Sequence, residues 1–89
     1  MSHYPLEIII PVYKEGENIN EVLDQFQNKV KTKFRILLCY DHDDDSTLYS
    51  YNPQKYNFEI IPVKNKDIGA HGAIMTGTNY SNSDCIIVF

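Results

Sequence analysis

Four short apolar runs punctuate the chain: Leu6 to Val12, Phe34 to Tyr40, Phe58 to Val63 and Cys85 to Phe89. Each is rich in Ile, Val, Leu or aromatic residues and nearly continuous rather than alternating. That pattern predicts strands covered on both faces, as in a parallel sheet flanked by helices. Between the first two runs, Ile19, Val22, Leu23, Phe26 and Val30 recur at helical spacing and form one apolar stripe suited to a sheet. Asn18 and Glu21 have the spacing of a capping box, so this helix is expected to begin near Glu17 to Ile19. The polar, tyrosine-rich stretch from Ser46 to Asn57 carries Pro53 and predicts a short helix or turn, then a loop. From Ala70 to Tyr80, Ala73, Ile74 and Gly77 can share a sheet-facing stripe, with Gly77 permitting close approach of helix and strand. The expected order is β-α-β-α-β-α-β in an α/β single domain over residues 1–89, with helices on both sheet faces.

Length and charge narrow the function. A chain of 89 residues holds one small domain, and none of its apolar runs approaches the roughly 20 residues needed to span a bilayer. The opening Met1-Ser2-His3-Tyr4-Pro5 lacks the basic and apolar sections of a secretory signal, which predicts a cytoplasmic location. The formal charge of -4 argues against nucleic acid as a partner, because phosphate backbones demand clustered Lys and Arg. Cys39 and Cys85 each lie inside an apolar run and are expected as buried thiols rather than a disulfide.

In open parallel sheets ligands sit beyond the carboxyl ends of the strands, above all where strand order reverses. The residues that follow each run therefore carry the chemistry. After the first run, Pro11 fixes the exit direction, Tyr13 offers an aromatic face and Glu15 an acceptor ahead of a helix. Such a turn suits a planar base, and it equally suits a plain loop whose acidic residues complement the helix dipole. After the second run, Asp41-His42-Asp43-Asp44-Asp45-Ser46-Thr47 sets four carboxylates within five positions. Crowding of that kind needs a donor, a cation or solvent to offset it, so a nucleoside contact, a hard-cation site and a solvated turn all compete. A calcium loop fits poorly, with Ser46 where Gly is needed and Asn52 where a bidentate Glu belongs. Asp43-Asp44-Asp45-Ser46-Thr47 also resembles the D-x-D-x-T motif of haloacid-dehalogenase-like phosphatases, which would make Asp43 a nucleophile and Asp45 an acid/base. Its position beyond Asp41, on the second strand, counts against that. After the third run, Gly69 and Gly72 flank a predicted helix start, where backbone amides attract anions such as diphosphate, although helix packing explains two glycines as well. Neither a G-x-G-x-x-G fingerprint nor a phosphate loop is present, and His42 and His71 are isolated from metal-ligand spacing.

Taken in order, the three turns resemble the family 2 glycosyltransferases, including the dolichyl-phosphate mannosyltransferase-like branch. Ile8 to Glu15 is similar to the family opening I-I-P-x-Y-N-E at Pro11, Tyr13 and Glu15, with Lys14 in place of Asn. Ile36 to Thr47 resembles V-V-D-D-G-S-x-D-x-T at Asp41, Asp45 and Thr47, with Tyr40 replacing the first Asp and His42-Asp43 replacing Gly-Ser. Gly69, Ala73 and Gly77 fit the stretch G-x-G-x-A-x-x-x-G, while Gly72 falls one position late. These departures leave base preference open.

The resemblance implies a Rossmann-like, three-layer α/β/α fold with a parallel sheet of about four strands in the order 3-2-1-4, the amino-terminal half of the GT-A arrangement. It implies transfer of a sugar from a nucleotide-diphosphate-sugar donor to an acceptor hydroxyl on a sugar, lipid or polysaccharide, inverting and dependent on Mg or Mn. Pro11, Tyr13, Glu15, Asp41, Asp45 and Gly69 would form the nucleoside half of the site. The D-x-D-type cation motif and the general base are expected beyond Phe89, so no catalytic residue, metal ligand or bound cation is expected in this chain. Transfer by the chain alone is not expected, and the cytosolic face of a membrane is a natural location for the longer protein. A noncatalytic nucleotide-binding module is the remaining alternative. A truncated sheet that leaves an edge or apolar face uncovered also offers a route to self-association.

Overall fold

The computed structural model describes residues 5–66, 72, 74–77 and 85–89. Strand β1 spans Leu6–Pro11, helix α1 Asn18–Lys29, β2 Phe34–Tyr40, β3 Glu59–Lys64 and β4 Cys85–Val88. The four strands form one sheet in the order β3-β2-β1-β4, and every neighbouring pair is parallel, as the continuous apolar runs require. Two 3-10 turns, Ser46–Tyr49 and Pro53–Lys55, occupy the tyrosine-rich stretch between β2 and β3.

Helix α1 lays its apolar stripe on one face of the sheet. Ile19 and Leu23 are buried there against Ile8, Ile10, Val12, Ile36 and Leu38, with Val22, Phe26 and Val30 packed around them. Burial of each such aliphatic side chain contributes about 1.5–3 kcal/mol. An aromatic chain closes the lower end: Phe34 meets Phe58 with centroids 4.6 Å apart, and Phe26 meets Phe89 edge-on at 5.2 Å.

Ile9, Leu37 and Cys39 point to the opposite face with Ile61 and Val63. Residues 74–77 are helical, and Gly77 lies directly over Ile9. A methyl group at residue 77 would sit 2.7 Å from Ile9 Cδ1 and 2.8 Å from Cγ1, inside any real contact distance. Ile9 is fully buried and β-branched, so it cannot swing aside. Gly77→Ala is therefore expected to lose about 1–3 kcal/mol from overpacking, less up to about 1 kcal/mol of gained helix propensity. Urea denaturation should show that loss shrinking when Ile9→Val is added, and equal losses in both backgrounds would contradict the close approach. Residue 72 is helical as well, whereas Ala73 and residues 70, 71 and 78–80 of the predicted third helix lie outside the described residues.

At the amino ends of the strands this same face carries charge. Parallel register places Glu7 beside Arg35 and Arg35 beside Glu59. Glu7 is fully buried; Arg35 Nε donates to its Oε2 at 2.8 Å, Nη2 donates to the same oxygen, and Nη1 lies 3.9 Å from Glu59 Oε1.

Three expectations need correction. Glu17 occupies the N-cap position of α1 in a helical conformation, without a side-chain cap, so the Asn18/Glu21 capping box does not form. The first amides are served instead by backbone bonds from Asn18 to the Glu15 carbonyl and from Ile19 to that of Gly16. Cys85 is exposed, whereas Cys39 is buried, and both are free thiols. Full cover on both faces holds for β2 and the middle of β1 but fails for β3 and β4, which are the sheet's two edges.

Candidate nucleoside-facing site

The chain passes from β1 to β2 to β3 on one side of the sheet and then crosses to β4 on the other side of β1. Strand order thus reverses beside β1, and the turns leaving β1 and β2 stand at the mouth of that crevice. Pro11 ends β1, and Val12 stays in the ladder by donating to the Cys39 carbonyl at 3.0 Å. The turn then opens, leaving Tyr13, Lys14 and Glu15 exposed. Lys14 and Gly16 both take positive φ, 51° and 56°, which lets the chain double back into α1. Gly adopts this geometry freely, but a Lys held there bears about 1–2 kcal/mol of strain that Asn would partly escape.

Asp45 is the group that holds the turn. Its Oδ1 and Oδ2 accept from the Lys14 amide at 3.1 and 2.9 Å, and Oδ1 also accepts from the Thr47 amide at 2.9 Å. Thr47 Oγ1 then accepts from the Glu15 amide at 2.8 Å. Asp45 and Thr47 are both buried, so this clamp stitches the β1 turn to the β2 turn from beneath. Burial pushes the Asp45 carboxyl up, but the Lys14 and Thr47 amides outweigh it and hold the group below the usual carboxylate range. An anion fixed in that way is ill suited to the acid/base role that a phosphatase would require of it.

The other carboxylates of the cluster divide by environment. Asp41, half-buried at the end of β2, accepts from Asn65 Nδ2 at 2.8 Å, while Asn65 also donates its amide to the Tyr40 carbonyl at 2.7 Å. Asn65 therefore orients Asp41 from the end of β3, a role that strand and motif patterns did not reveal. Asp43 and Asp44 are exposed, with Lys64 Nζ 3.1 Å from Asp43 Oδ2. Gly69 lies outside the described residues. Among the described residues no group of three or more His, Cys, Asp or Glu side chains could hold a metal ion. A cavity of about 220 Å³ between Lys31 to Phe34 and Asn57 to Glu59 opens at the strands' amino ends, away from all these turns. Burial pushes the Cys39 thiol up to about 11, which leaves it an inert core group.

An all-parallel sheet of order 3-2-1-4 with helices defines a Rossmann-like α/β domain, the amino-terminal half of a GT-A arrangement. The chain belongs to glycosyl transferase family 2, whose family model matches residues 7–89. Among its relatives are undecaprenyl-phosphate 4-deoxy-4-formamido-L-arabinose transferases. That of Pseudomonas fluorescens is 28% identical over 98% of this chain and 28% of its own length. The Photorhabdus laumondii enzyme is 30% identical, over 92% of this chain and 27% of its own length. The chain thus spans little more than a quarter of the curated relatives it matches. No solved structure matches it significantly.

Proposed function

We propose that this chain supplies the nucleoside half of the donor site in a glycosyltransferase that uses a nucleotide-diphosphate sugar. The joining of the Tyr13 to Glu15 turn with the end of β2, through Asp45 and Thr47, carries this proposal. Tyr13 offers its ring to the base beside Pro11, and Glu15 and Asp41 accept from base or ribose. Asp45 positions the turn from below, and Gly69 would border the diphosphate. Catalysis of transfer would rest on groups outside this chain, among them the ligands of a divalent cation, Mg or Mn, that would neutralise the leaving diphosphate. Inversion would follow from a single displacement at the sugar carbon.

The relatives' names add a candidate acceptor, undecaprenyl phosphate. With a lipid phosphate the nucleophile is a phosphate oxygen, largely ionised at neutral pH, so general-base help matters less than for a hydroxyl. Such an acceptor would bring the reaction to a membrane surface, its cytosolic face in this reading. Among the described residues no helix is long and apolar enough to cross one.

Asp41 provides the direct test. Titrating the chain with UDP and GDP by calorimetry, Asp41→Ala is expected to weaken the preferred nucleotide by about 10-fold or more, the worth of a charged hydrogen bond. Unchanged affinity in a folded variant would remove Asp41 from the site. A second expectation concerns β4, which shows Ile86, Ile87 and Val88 at an edge without a single charged residue. Uncharged edges invite strand pairing, so sedimentation should find this chain self-associating with rising concentration and Ile87→Lys monomeric. A wild-type monomer at high concentration would refute it.

A further inference from the structure

Lys14 is the residue at which the turn departs from the family pattern, and its surroundings give it a purpose. Its backbone is fixed by two bonds to Asp45 and held at positive φ, so a strained residue is kept where a smaller one would relax. Its side chain is exposed, and Nζ sits 5.3 Å from the centroid of the Tyr13 ring, itself 59% exposed. Its ammonium makes no ion pair among the described residues, whereas Lys64 is paired with Asp43. Lys14 leaves β1 itself, the strand beside which the order reverses, and it belongs to the turn that carries Tyr13 and Glu15. The carboxylate that feels the Lys14 charge is Asp45 beneath the turn, and Glu15 and Glu17 follow in the chain, so a diphosphate approaching this turn meets acidic groups that only a cation offsets.

We infer that Lys14 is a donor-binding residue whose ammonium pairs with the diphosphate of the nucleotide while Tyr13 faces the base. This rests on the nucleoside site proposed above. It makes residue 14 a discriminator between a charged nucleotide and its bare nucleoside, which the acidic groups alone would not be.

The test is an amide-resolved NMR titration of the chain with UDP, GDP, uridine and guanosine, at low salt and again in 0.5 M salt on the order of a 4 Å screening length. Lys14→Gln and Lys14→Asn are expected to weaken the bound diphosphate about 5- to 10-fold and the matching nucleoside less than about 2-fold. Lys14→Arg should keep the preference, and high salt should erase it. Lys14→Asn should also melt higher than wild type, which excludes misfolding as the cause of any loss. Equal affinities of wild type and Lys14→Gln for the diphosphate, or parallel losses for nucleoside and diphosphate, would overturn the inference and leave the nucleoside site standing. Amides of residues 13–15 and Asp41 that respond to no ligand in wild type would sink both.

Discussion

Arg35→Ala is expected to destabilise the domain by about 3–5 kcal/mol, the loss that follows when a buried ion pair is broken from one side. The cause is Glu7, which is fully buried and receives two of the guanidinium's donors. Removing Arg35 takes from that carboxylate the two charged donors of the guanidinium, in a site closed to water. Native domains carry a net stability of roughly 5–15 kcal/mol and small ones lie at the low end of that range, so the variant should be visibly unfolded in part at 37 °C. Replacing both partners behaves differently, because desolvation of both charges disappears with the pair. Glu7→Leu combined with Arg35→Met should recover most of the loss, or exceed wild type. Chemical denaturation of the two variants checks this. An Arg35→Ala protein within about 1 kcal/mol of wild type would show that other contacts suffice to hold Glu7.

Asp45 should produce the second large effect, with a distinctive pH signature. Asp45→Ala strands the amides of Lys14 and Thr47 beneath the turn and should cost about 2–4 kcal/mol. Asp45→Asn keeps one oxygen and should cost about half as much. The Asp45 carboxyl is held below its ordinary value in the folded chain, so its stabilisation is complete above the unfolded value of about 3.9. It is lost as pH falls through the lower folded value. The stability gap between wild type and Asp45→Asn should therefore be widest near neutrality and close below about pH 4. A gap constant from pH 7 to pH 3 would mean that the amides see no difference between the two side chains. Nucleotide affinity should drop in both variants as well, because the turn carrying Tyr13 and Glu15 is no longer fixed.

The parallel sheet and the extent of α1 were legible because long apolar runs and a helical stripe are set by burial, which sequence pattern records directly, whereas the strand order came only with the family resemblance. Gly77 was legible for the same reason, since close approach to a strand excludes a side chain. Less visible was everything that depends on register. Glu7 and Arg35 interrupt apolar runs and look incidental until pairing of β1 with β2 sets them side by side. The failed capping box belongs to the same class: two positive-φ residues bring the chain into α1 already turned, a geometry no spacing rule encodes. Within the candidate site, the motif positions of Asp41 and Asp45 were readable as members of one acidic run. Their unlike environments, one half-exposed and one sealed under a loop, arise only from the fold. Asn65 gave no signal, because a single polar residue at the end of a strand is ordinary.

The clamp beneath the β1 turn touches residue 14 only through its main-chain nitrogen. The hydrogen bonds of the anchorage therefore survive a change of side chain at that position. A lineage could exchange lysine for asparagine or glycine, which suit its positive φ, and so change the charge that the turn presents while keeping the hydrogen bonds that aim the neighbouring aromatic ring.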